Sequence, residues 1–127
     1  MTGVTLWVSS TGRVVGDKIQ VARNPWHKFW GLMGTPSLPD GCGMLFYGTN
    51  AVHSFFMRYP LTLVFLDSEG VIVALAILKP WRIGPWIRHA HYVLELGEGP
   101  WEEVLAVGER LLWEKSKPNP GEPSYSP

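Results

Sequence analysis

The single thiol, Cys42, stands between Gly41 and Gly43. A cysteine becomes a nucleophile when a nearby base or cation lowers its pKa. His53 is the candidate base, because the two strand-like segments that carry Cys42 and His53 are expected to pair. The competing reading is a small loop residue packed beside tight backbone. No Gly-x-Ser-x-Gly elbow, phosphate loop or dinucleotide fingerprint accompanies the thiol. His89 and His91 are two apart, so on a strand they would share a face and could chelate a metal. A third ligand is required, and no Cys or His close in sequence supplies it. The expectation is therefore an exposed pair, no metal and no cofactor. Asp67 and Glu69 fall in "DSEG", where turn propensity accounts for them.

Glu95 is harder to explain. In "YVLEL" it shares a face with Val93, while Tyr92, Leu94 and Leu96 share the other. A carboxyl among such neighbours faces solvent or is buried with a partner. Arg58 and Arg23 are the candidate partners, as a structural ion pair or as the walls of a ligand site. Arg58 closes "HSFFMR", just before Tyr59-Pro60. Pro60 ends that strand unaided, since it lacks a donor and restricts the preceding residue, so the local structure leaves Arg58 unexplained. Alternation puts Ser54, Phe56 and Arg58 on one face and Phe55 and Met57 on the other. The segment "KPWRIGPWIRHAH" adds Trp81, Arg82 and Trp86 with no acid. It reads either as a hydrophobic lid or as an aromatic-plus-cation contact surface, since Trp and Arg dominate such surfaces.

The elements that must hold these residues are mostly strands. "VTLWVSS" and "KIQVAR" alternate apolar and polar residues. "NPWHKFWGLMG" has an N-cap Asn24, Pro25 at the first helical position and Gly34 as a stop, and predicts a helix over Pro25–Met33. "TPSLPDGCG" is loop. "MLFYG" and "AVHSFFM" are two short strands joined by "GTN". "TLVFLD" and "VIVALAIL" flank a tight turn at Gly70 and form a hairpin. Both of its strands are apolar on both faces and are expected to be central or wrapped into a barrel. "YVLEL" is a strand, "GPWEEVLAVG" a short helix with Glu102 and Glu103 in its first turn, and "ERLLWE" a last strand. The sum is a mainly β fold: a small antiparallel β-barrel-like domain with two short helices, over residues 1–114.

Composition bounds the rest. The chain has 127 residues, 46% of them hydrophobic, which suits one domain with a real core. The 11 basic residues match the 11 acidic ones, which disfavours general polyanion binding, so no nucleic acid is expected. The longest apolar run, Val71–Leu78, is far short of the roughly 20 residues a bilayer needs. The first residues have no basic-then-apolar leader pattern. One cysteine fits a reducing compartment and a cytoplasmic reading. From Lys115 onward, "KSKPNPGEPSYSP" holds four prolines and one aromatic. Residues 115–127 cannot repay their ordering entropy by burial and are expected to be a disordered, dispensable tail.

Several segments, taken in order, resemble a widespread family, domain of unknown function 192. They are Ala22-Arg23, "GLM" at 31–33, Leu38-Pro39, "GMLF" at 43–46, "FFMR" at 55–58, Pro60-Leu61, "FLDSEG" at 65–70 and "VLEL" at 93–96. The match covers most of residues 20–110, and its order and spacing are more specific than any one piece. The family's usual Trp is Phe56 here, its usual Lys is Arg58, and its usual Asp after Pro-Leu is Thr62. Thr35-Pro36 stands where an Arg is common. The resemblance implies a compact β-rich fold and no established activity.

These residues favour a non-enzymatic module that binds a small molecule or a protein. Its ligand-binding residues would be Ser54, Phe56, Arg58, Trp81, Arg82, Trp86 and Glu95. The alternative is a small thiol-dependent hydrolase-type enzyme built on Cys42 and His53.

Overall fold

The computed structural model describes residues 3–22, 41–49, 59–80 and 84–116. The described residues form seven strands: β1 Gly3–Val8, β2 Val14–Ala22, β3 Cys42–Tyr47, β4 Leu61–Leu66, β5 Ile72–Leu78, β6 Tyr92–Leu96 and β7 Leu111–Lys115. One short helix, α1, spans Trp101–Val104. The strands form one sheet in the order β5-β4-β6-β3-β2-β1-β7. Among the described residues α1 is the one helix, and the helix expected over Pro25–Met33 lies outside them.

Local pattern explains most of these elements. In β1, Val4, Leu6 and Val8 are buried and alternate with half-buried Gly3, Thr5 and Trp7. β4 is buried at every position, as befits a strand covered on both faces. The β4–β5 turn is built by Asp67, whose Oδ1 accepts the N–H groups of Glu69 (2.8 Å) and Val71 (3.0 Å). Gly70 sits at φ 83°, and a Cβ there would meet the Leu111 carbonyl oxygen at 2.7 Å.

The expected closed, antiparallel barrel is corrected in two respects. The sheet is mixed, because β2 and β3 run parallel. It is also open, with β5 and β7 as its edges. These edges touch at a single antiparallel bridge, Val71 to Arg110. Backbone bonds from Ile72 N–H to the Glu109 carbonyl (2.8 Å) and from Leu111 N–H to the Gly70 carbonyl (2.9 Å) hold it. The bridge lies at the start of both strands. An antiparallel pair that meets at its first residues runs apart in opposite directions, so the ladder cannot lengthen. β5 is therefore an edge strand rather than a central one, and its Ile77 is 62% exposed.

The rolled sheet has two apolar faces. Its inner face gathers residues from both edges, including Leu6 and Leu111 from one side and Val64, Leu66 and Ile72 from the other. Leu105 and the half-buried Trp101 and Val104 of the α1 region pack against that cluster, and the Trp101 indole donates to the Gly97 carbonyl at 2.8 Å. The outer face carries Met44 and Phe46 of β3, Leu61, Leu63 and Phe65 of β4, and Val93 of β6. Tyr59, Ala90 and Ile87 pack on this second cluster.

Candidate functional site

Glu95 lies on β6, in register with Met44 of β3 on one side and Leu63 of β4 on the other. Its face of the sheet is the outer one, whose neighbours are apolar. The residue is 1% exposed. Its Oε1 has no hydrogen-bond partner among the described residues. Burial away from water disfavours the charged form and raises the carboxyl pKa from 4.5 to about 8. At neutral pH the group is therefore mostly an uncharged acid. It can donate one hydrogen bond, or release its proton to solvent when a cation arrives to pair with the carboxylate.

The row that contains Glu95 holds a second such atom. Gln20 of β2 is in register with Met44 from the opposite side. Its Oε1 is likewise buried with no hydrogen-bond partner among the described residues. The sequence gives no sign of this, because Gln20 alternates with Lys18 as a solvent-facing pair would. Only the parallel β2–β3 pairing places it in the Glu95 row.

Of the other proposed ligand-binding residues, Trp86 is the one described. Trp86 is 77% exposed, next to Ile87, which packs on the outer-face cluster. The Trp86 segment thus lies against the face that carries Glu95. His53, Ser54, Phe56, Arg58, Trp81 and Arg82 lie outside the described residues, as does Arg23. Cys42 is half-buried at the start of β3, opposite Lys18 of β2. Along Gly43–Phe46 both edges of β3 are occupied, by β2 and β6. The expected pairing of β3 with residues 51–57, which would bring His53 to Cys42, lies outside the described residues.

His89 and His91 are exposed, and no group of three His, Cys, Asp or Glu side chains able to hold a metal occurs among the described residues. Thr62, where the family resemblance leads one to expect an acid, is buried and in register with Leu96. Alternation places it on the opposite sheet face from Glu95. The tail boundary moves slightly, because β7 runs through Lys115 and Ser116 is hydrogen-bonded to Gly3. Residues 117–127 lie outside the described residues. No helix among the described residues is long and apolar enough to cross a membrane.

Comparison with known proteins gives the chain a family and no activity. A UPF0127 protein of Thermococcus sibiricus is 27% identical over 118 residues, covering 89% of this chain and 77% of that one. A UPF0127 protein of Pyrococcus furiosus is 39% identical over 66 residues, 51% of this chain. The chain spans 57% of the length of that relative. A crystal structure of a protein of unknown function from Novosphingobium aromaticivorans superposes with a TM-score of 0.69 at 22% identity, covering 87% of this chain and 83% of that one. That likeness is one of fold alone. The DUF192 family model, described as "Uncharacterized ACR", matches residues 6–113, and the chain belongs to that family.

Proposed function

We propose that the chain is a non-enzymatic binding module that takes a small molecule or a protein segment on the outer face of its sheet, with Glu95 as the anchor. The observation that carries this reading is the Glu95 carboxyl itself, 1% exposed on an apolar face with one oxygen unpartnered among the described residues. A buried polar group without a partner costs stability and is a functional candidate when the fold retains it. The chemistry of the anchor defines the ligand. A carboxyl kept neutral by burial releases its proton to solvent most readily when a cation on an apolar stem arrives to pair with the carboxylate. An alkylamine, an alkylguanidine and a Lys or Arg side chain of a partner protein all fit that description.

Arg58, Trp81, Arg82 and the exposed Trp86, with Ser54 and Phe56, are proposed to complete the contact surface. The matched totals of acidic and basic residues support a ligand other than a nucleic acid. The single cysteine supports a reducing, cytoplasmic setting.

The test uses n-butylguanidinium as the probe and the side-chain carboxyl carbon of Glu95 as the reporter, by NMR on the full chain. Saturable binding that converts Glu95 to the carboxylate near pH 7, and that is lost in Glu95→Gln, is expected. A carboxyl signal that does not respond to the probe, or binding that survives in Glu95→Gln, overturns the reading.

A further inference from the structure

The outer face carries a second feature, at its β2–β1–β7 end. A groove of about 630 Å³ opens there, within the size range of small-molecule sites. Thr5 and Trp7 of β1 line it, between Gln20 of β2 and Glu114 of β7. Trp7 is half-buried and so keeps part of its indole open. Gln20 is part of the lining. Its amide is close to Gly3, where a Cβ would be 3.7 Å from Nε2, and its Oε1 is buried without a hydrogen-bond partner among the described residues. Ser116 fixes one rim. Its N–H donates to the Gly3 carbonyl at 3.0 Å and its hydroxyl donates to the Asp17 carbonyl at 2.6 Å. With that proton committed, the Thr5 hydroxyl, 2.9 Å from Ser116 Oγ, must be the donor of their pair. The charges around the groove are Asp17 and Glu114 against Lys18 and Lys115, which sum to zero.

We propose that this groove binds a neutral sugar, with the ring against Trp7 and a ring hydroxyl donating to Gln20 Oε1 once that side chain rotates its buried oxygen into the groove. Three features select that class. The balanced lining offers no net field to a phosphate or a polycation. The unpartnered amide oxygen is an acceptor and requires an O–H or N–H donor. The indole supplies an apolar, electron-rich face for the C–H side of a pyranose, while the polar rim meets the remaining hydroxyls. A nucleoside shares the stacking requirement but carries fewer hydroxyls for such a rim. This site does not depend on the Glu95 reading: β3 separates Gln20 from Glu95, and neither Met44 nor Glu95 lines the groove among its described residues.

The test is an NMR titration of the nitrogen-labelled full chain with glucose and maltose, with adenosine and inorganic phosphate as the other arms. Saturable shifts of the Trp7 indole N–H and the Gln20 side-chain amide are expected with a sugar, with a Kd of about 10 mM or tighter. Binding should weaken at least about tenfold in Trp7→Ala, a loss of one stacking partner. Gln20→Leu should lose binding as well while melting no lower than the parent, since it removes an unpaired buried acceptor. If Trp7→Ala fails to fold, Gln20→Leu decides alone. The proposal is overturned by the absence of saturable shifts with either sugar. It is equally overturned by tighter binding of adenosine or phosphate, or by Gln20→Leu binding sugar like the parent.

Discussion

Gln20 and Glu95 flank Met44 in one cross-strand row, each in register with it from opposite sides. Two strand spacings put their Cα atoms about 10 Å apart. Each ends in a buried oxygen without a hydrogen-bond partner among the described residues. Native sheets rarely leave even one such atom unpaired. The row is a liability for stability and, for the same reason, the part of the fold where ligand binding has most to gain.

The raised pKa of Glu95 makes stability depend on pH in a defined direction. The folded state holds its proton up to about pH 8, whereas the ordinary value is 4.5. Between those values the folded chain binds more protons than the unfolded chain, so unfolding releases a proton and stability falls as pH rises. The contribution of this group is fully present below about pH 4.5 and declines by up to about 1.4 kcal/mol per pH unit above it. Denaturant titrations from pH 5 to 8 should show the decline, and Glu95→Gln, which cannot ionise, should remove it. A parent slope that persists unchanged in Glu95→Gln would assign the effect to other groups.

Arg58 is the natural suspect for a charge partner, and a double-mutant cycle separates two roles. A buried ion pair loses about 3–5 kcal/mol when one member is removed. A neighbouring guanidinium would hold the Glu95 carboxyl below its ordinary value, whereas burial raises it to about 8. The coupling between Arg58→Ala and Glu95→Gln is therefore expected to be under about 1 kcal/mol, with Arg58→Ala nearly neutral for stability. Coupling of about 3 kcal/mol or more would make the pair structural and remove Arg58 from the ligand surface.

Phe65 tests the packing of the outer face. It is fully buried on β4, between β5 and β6. Phe65→Ala should cost about 3–5 kcal/mol, through lost transfer energy and the cavity left behind. The measurement is the shift in denaturant midpoint at constant slope. A loss below about 1 kcal/mol would be incompatible with a closely packed cluster of Phe46, Leu63 and Val93 around it.

How much of this was legible depended on the range of the interaction involved. β1, β4 and β6 follow from local alternation or apolar runs, and Asp67 and Gly70 announce their turn. Glu95 stood out because a carboxyl interrupts an apolar strand. Gln20 did not, since "KIQV" alternates equally well with Lys18 and Gln20 in water. Its burial comes from the parallel pairing of β2 with β3, a contact between segments about 20 residues apart that neither segment encodes alone. The same holds for the open sheet. Apolar composition makes β5 look central, but the described strand that meets its far side is β7, and the Val71–Arg110 bridge sets those two strands running apart. The second helical signal was right in kind and too long, because α1 stops at Val104 and Leu105 turns extended to enter the inner core.

Gly43 joins the fold to the site, and its replacement should disturb both. The residue lies on β3 between Ile19 of β2 and Leu96 of β6. A Cβ at this position would meet the Glu95 carbonyl oxygen at 2.6 Å, Ile19 Cδ1 at 3.0 Å and Leu96 Cδ2 at 3.1 Å. The two side chains can yield by small rotations. The carbonyl cannot, because it belongs to a strand held on both sides by β3 and β4. Gly43→Ala must therefore push β6 away from β3 at Glu95, for a cost of about 1–3 kcal/mol. Loosening the sheet there admits water to the carboxyl, so its pKa should fall from about 8 toward the ordinary range. The stability slope between pH 5 and 8 should flatten in the same variant. Denaturant titration across that range measures both effects at once. A destabilised Gly43→Ala that keeps the full slope would show that the Glu95 environment is set by side-chain cover alone, independent of the β3–β6 spacing.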